Sequence, residues 1–127
     1  MPTKAKTTKT KTSKPKSEPK ASAKPEFPEG RQPLSDADIS KALKKLAGWE
    51  RNGDTIRKTF KFPAYLSGLA FATTVGTVAE GLDHHPDILV GWRKITVTFS
   101  THSSGNKITP IDIKAAEAIE ALPYKPG

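Results

Sequence analysis

A chain of 127 residues with a formal net charge of +8 and no cysteine excludes disulfide scaffolds and thiolate metal sites. No apolar run reaches the ~18 residues of a membrane span, and no signal-peptide core follows Met1. The first thirty residues carry no arginine, which disfavours an organellar transit peptide, so the expected compartment is cytoplasmic, with no membrane partner.

Residues 1–33 hold only Met1, Ala5, Ala21, Ala23 and Phe27 from the hydrophobic class, beside eight lysines and many Thr, Ser and Pro. Such a segment cannot bury enough apolar surface to offset its ordering entropy, so a disordered Lys/Thr/Pro-rich tail is expected there. Residues 34–127 are then one domain. The tail carries nine cations against three glutamates, a net +6, and the domain only +2. The basic character is therefore mostly a tail property. It suits either a solubilising arm or weak, non-specific nucleic-acid contact, and the tail has no aromatic-interleaved or RNP-like pattern.

The first helix is expected over about 36–47. Ser35 and Asp38 form a capping box, Leu34 and Ile39 a hydrophobic staple, and Ile39, Leu43 and Leu46 one face. Gly48 is the expected C-cap. Asn52-Gly53-Asp54 then joins two strands, 49–51 and 55–62, as a hairpin. Ile56, Phe60 and Phe62 share one face of the second strand, and Arg57, Thr59 and Lys61 the other. Pro63 suits the first turn of a second helix over about 64–82. Its stripe is Phe71, Val75, Val78 and Leu82, extended by Ala64 and Gly68. Leu66, Leu69 and Ala70 widen the apolar arc, which suggests burial against a sheet and a second contact such as a partner subunit. Gly68 and Gly76 each cost about 1 kcal/mol in a helix interior, and close helix packing is the expected compensation.

Pro86 stops the helix after His84-His85. Asp87 to Val90 reads as a strand, 91–93 as a turn, and Lys94 to Thr101 as an alternating strand. Ile95, Val97 and Phe99 point one way, while Thr96, Thr98 and Ser100 point the other with His102 continuing their parity. Residues 103–106 form a loop. Thr109, Pro110 and Asp112 open a last helix as N-cap, N1 and N3, with Ile111, Ala115, Ala118, Ile119 and Leu122 as its stripe. The order predicts an α+β domain: a four-stranded antiparallel sheet with helices packed on one face.

All three histidines, His84, His85 and His102, fall in one 19-residue window. Imidazole alone has an unperturbed pKa, about 6.5, that lets it give and take protons near neutrality. From spacing alone, catalysis or ligand binding stands level with ordinary polar packing. A metal triad is disfavoured, because adjacent histidines rarely chelate one ion and H-x-H or H-x3-H spacing is absent. No G-x-S-x-G elbow and no phosphate-cradling glycine loop appears. Asp112 reads as a helix cap, Glu80 as a solvated helix residue, and Trp92 as core or turn packing.

The pattern Glu80-x3-His84-His85-Pro86-x5-Trp92-x9-His102-x9-Asp112 resembles the signature of the pterin-4a-carbinolamine dehydratases. Ser100-Thr101-His102, Leu34-Ser35-Asp36 and Gly48-Trp49 also resemble that family, which includes a dimerisation cofactor of a homeodomain transcription factor. The resemblance spans about residues 34–122. It implies the same α+β fold, a homodimer or homotetramer, and no metal or organic cofactor. It implies dehydration of a 4a-hydroxytetrahydropterin to quinonoid dihydropterin and water, in tetrahydrobiopterin recycling. On that resemblance His84 and His102 are the acid–base pair, with His85 beside them. Pro86, Thr101, Ser103 and Ser104 would line the pocket. Glu80 and Asp112 would orient the histidines or touch the pterin. The rival on the same fold is a binding module, either a transcriptional cofactor or an assembly chaperone.

Overall fold

The computed structural model describes Phe27 and residues 29–123. The expected tail therefore lies mostly outside the described residues. Its last part does not: the Gly30 carbonyl accepts from the Ile111 N–H at 2.9 Å, and the Arg31 carbonyl accepts from the Ser104 hydroxyl. The domain's contacts begin before the boundary drawn at residue 34.

The elements are α1 (Asp36–Leu43), β1 (Glu50–Asn52), β2 (Thr55–Lys61), α2 (Tyr65–Leu82), β3 (Asp87–Gly91), β4 (Lys94–Phe99) and α3 (Pro110–Glu120). The four strands form one antiparallel sheet in the order β1-β2-β4-β3. Alternation on β4 decides the layers. Ile95, Val97 and Phe99 are fully buried under the helices, while Thr96 crosses to Thr59 on the opposite face at 2.8 Å. Ile56 and Phe60 stand opposite Phe99 and Ile95 in register, so β2 and β4 bury the same face. Phe71 and Val75 of α2 close over them, with Phe60 and Phe71 rings 4.7 Å apart, and Ala115, Ala116 and Ile119 of α3 join the same core. Each large apolar side chain so buried contributes about 1.5–3 kcal/mol.

Several local expectations shift. Helix α1 ends at Leu43, not near 47. Bonds of the tighter i→i−3 kind at Lys45 and Leu46 carry the chain onward, and Gly48 at φ +85° swings Trp49 into the core. Pro63 precedes α2 instead of opening it. A residue before proline stays extended, so Phe62 continues the ladder to the Arg93 carbonyl at 2.9 Å and Ala64 becomes the N-cap. On α2 the buried line runs Gly68, Phe71, Val75, Ala79, with Val78 only half-buried. A methyl on Gly68 would meet Phe62 and Ile95 at 3.5–3.6 Å, in keeping with close packing, but one on Gly76 would meet nothing within 4 Å among the described residues. On α3, Asp112 and Ala116 are buried and Ile111 is half-buried.

Candidate active site

The end of α2 sets the first two histidines. Asp83 adopts the left-handed conformation at φ 52°, its N–H donating to the Glu80 carbonyl and the His84 N–H to the Ala79 carbonyl, each at 3.1 Å. This Schellman closure turns the chain sharply. It sends His84 inward, 4% exposed, with its ring stacked on Phe99 at a centroid distance of 5.6 Å. Its neighbour His85 points out, where Nε2 lies 2.7 Å from Glu80 Oε1. The two adjacent imidazoles diverge.

Asp112 is wholly buried, and its two oxygens serve different partners. Oδ1 lies 2.5 Å from His84 Nε2. Oδ2 accepts from the Thr109 N–H and from the Thr101 hydroxyl, both at 2.8 Å. Thr101 and Thr109 also share a hydroxyl–hydroxyl bond of 2.6 Å. As a carboxylate Asp112 can only accept, so the bond to His84 puts the proton on Nε2 and leaves Nδ1 as an acceptor. The N3 carboxylate of the capping box expected for α3 is thus also the orienter of His84.

His102 does not extend β4. Pairing with β2 ends at Ile56↔Phe99, and the chain then makes a single bridge, Thr101↔Lys107, around a tight helical turn from His102 to Ser104. That turn exposes His102. Among the described residues its imidazole has no hydrogen-bond partner.

The three histidines meet at one cleft of about 230 Å³, with Ser100 and Ser103 in its wall. Thr101 and Ser104, expected to line the pocket, are instead buried behind its wall, and Asp112, expected to orient the histidines or touch the pterin, is buried there against His84. Pro86 is half-buried and outside the lining, and Glu80 reaches the site through His85. Asp83 and Arg31 complete the wall, and the sequence reading missed both. Asp83 carried a signal, its place directly before the histidine pair, whereas Arg31 was averaged into the lysine-rich segment. Among the described residues no group of three or more His, Asp or Glu side chains is arranged to hold a metal ion. None of the described helices is long and apolar enough to cross a membrane.

The chain is similar to several known proteins. Residues 32–122 match the family model described as pterin 4 alpha carbinolamine dehydratase. A protein of Roseiflexus sp. (strain RS-1), provisionally named a pterin-4-alpha-carbinolamine dehydratase, is 44% identical over 89 residues, covering 70% of this chain and 95% of its own. A similarly named protein of Mycobacteroides abscessus is 44% identical over 87 residues, covering 68% of this chain and 92% of its own. A crystal structure from Brucella melitensis, described as a transcriptional coactivator/pterin dehydratase, superposes with a TM-score of 0.66 at 33% identity. It covers 71% of this chain and 97% of that one.

Proposed function

The chain belongs to the pterin 4 alpha carbinolamine dehydratase family of hydro-lyases, and from that premise we propose that its histidines carry out the dehydration. The observation that supports this reading is the meeting of imidazoles from two distant points, the end of α2 and the turn after β4, at one cleft sized for a small ring system. The substrate is a 4a-hydroxytetrahydropterin. Its C4a–O bond breaks, the leaving oxygen takes a proton and departs as water, and the adjacent N5–H gives up its proton as the N5=C4a double bond forms. A charged and a neutral imidazole supply both transfers. His84, with Nε2–H held by Asp112 and Nδ1 able to accept, suits the base. The imidazolium it becomes faces a buried carboxylate. His102, exposed and without a side-chain partner among the described residues, suits the acid that meets the hydroxyl. His85, steadied by Glu80, borders the ring.

The test follows carbinolamine decay spectroscopically with the purified protein. Acceleration over the spontaneous reaction is expected, with loss of about 100-fold or more in a His84→Ala, His102→Ala double variant. No acceleration would leave the binding-module reading in its place, and full activity in the double variant would refute catalysis by these histidines.

Two interaction proposals accompany this one. A homodimer or homotetramer is favoured by exposed apolar side chains on an edge strand and on α2: Leu89 is 67% and Leu66 73% exposed. Sedimentation of the purified chain tests it, and a strict monomer refutes it. Weak nucleic-acid contact through the tail rests on its eight lysines alone. It requires steeply salt-dependent DNA binding that vanishes when those lysines become glutamine.

A further inference from the structure

Dehydration by the histidines gives no task to one charged group in the cleft, Arg31. Its placement is built. The Gly30 carbonyl is tied to the first turn of α3 through the Ile111 N–H, and the Leu34 N–H donates to the Ile108 carbonyl at 2.9 Å. Between them the Arg31 carbonyl accepts from the hydroxyl of Ser104, in the turn that bears His102. The guanidinium Nη2 donates at 3.0 Å to the Asp83 carbonyl, one residue before His84. Residues 30–34 are therefore a strap joining the elements that carry the catalytic groups.

A guanidinium has five N–H donors, and among the described residues that of Arg31 is engaged through Nη2 alone. Among the described residues it forms no ion pair, although Asp83 lines the same cleft and Glu80 reaches it through His85. Capping the C-terminal carbonyls of α2 would use a cation, but any exposed lysine could do that from solvent. A strap with three main-chain ties and a fork of uncommitted donors at the cleft wall fits recognition of an acceptor on the ligand.

We propose that Arg31 orients the substrate by donating to the ring carbonyl oxygen adjacent to the reacting carbon of a pterin carbinolamine. This rests on the dehydratase reading. The carbonyl is unchanged as the C4a–O bond breaks, so the contact is the same in ground and transition states. It strengthens binding and turns the hydroxyl toward the imidazoles, and its loss raises KM more than it lowers kcat.

The experiment compares the wild-type chain with Arg31→Ala, Arg31→Gln and Arg31→Lys. It measures steady-state dehydration, equilibrium binding of 6-methyl-7,8-dihydropterin by fluorescence, and thermal unfolding. Loss of a charge-assisted hydrogen bond predicts about a 10- to 100-fold rise in KM and in the dihydropterin Kd for Ala and Gln, with kcat changed less than about 3-fold. Partial recovery is expected for Lys, and for the Ala variant on adding guanidinium ion. Wild-type KM and Kd in the folded Ala or Gln variant would overturn the proposal while leaving the dehydratase reading intact. So would a defect that only tracks lost folded protein. A wild-type chain that binds dihydropterin through Arg31 but accelerates no dehydration would overturn the reading and keep the contact. If the Ala variant fails to fold, the Gln and Lys variants decide.

Discussion

Replacing Asp112 separates two duties that one buried carboxylate performs. Asp112→Ala removes the acceptor for the Thr109 N–H, the Thr101 hydroxyl and His84 Nε2, all at positions at most 4% exposed. The Thr101 hydroxyl can turn to Thr109 Oγ1, already 2.6 Å away, so two donors stay orphaned. At about 2 kcal/mol for each unsatisfied buried donor, the loss is about 4 kcal/mol. That is a large share of the total stability of a domain this size, and it lowers the melting temperature by about 20 °C. Asp112→Asn behaves differently. Its carbonyl oxygen keeps Thr109 and Thr101, and its NH2 then faces His84 Nε2. Two donors cannot meet, so His84 moves its proton to Nδ1 and no longer offers an acceptor to the cleft. Stability falls by no more than about 1–2 kcal/mol, while the dehydration rate drops about 10³-fold, as expected for a wrong-tautomer imidazole. Denaturant unfolding, carbinolamine decay and nitrogen-15 shifts of the His84 ring measure the three effects. An Asn variant with wild-type rate, or an Ala variant that loses under about 1 kcal/mol, would refute the reasoning.

Three further outcomes are expected. Glu120 accepts from Trp49 Nε1 at 2.9 Å and from Lys58 Nζ at 2.7 Å, both partly buried, so Glu120→Ala costs about 2 kcal/mol in denaturant unfolding, and an unchanged midpoint would count against the contact. Gly76→Ala meets open space among the described residues and gains about 1 kcal/mol of helix propensity, read as a higher melting temperature; a fall would mean that another segment or a second chain packs there. Asp83→Gly relieves a left-handed non-glycine residue and stabilises by about 0.5–1 kcal/mol in the same measurement, whereas a loss would show that the Asp83 side chain holds the turn.

Much of the architecture could be read from local signals. Ser35 caps α1 by accepting from the Asp38 N–H, Thr109-Pro110 opens α3, and the alternation of Ile95, Val97 and Phe99 names the buried face of the sheet. Errors arose where a neighbour not adjacent in sequence decides the outcome. Side-chain parity carries His102 along a strand, but a strand lasts only while it has a partner, and β2 has none to offer past Ile56. The stripe on α2 reads as Val78 by spacing and is Ala79 in fact, since the helix rolls to seat Phe71 and Val75 against β4. In the site, the family-like pattern around His84, His85 and His102 pointed to a shared pocket and left Asp112 either orienting a histidine or touching a ligand. The pattern could not choose between them, because only the fold brings α3 under the end of α2 and sets Asp112 against His84. Arg31 was hidden by composition: a window rich in lysine looks unstructured although its last residues are pinned by hydrogen bonds.

The double duty of Asp112 bears on how sister sequences should be judged. A lineage that gave up turnover and lived on as an adaptor would still need an acceptor oxygen there, from an acid or its amide, because the opening of α3 leans on it. An acceptor at that position is therefore poor testimony to a working enzyme. Among the described residues the His102 side chain holds nothing together. It is free to drift once chemistry no longer matters, so its survival in a descendant speaks for chemistry still in use.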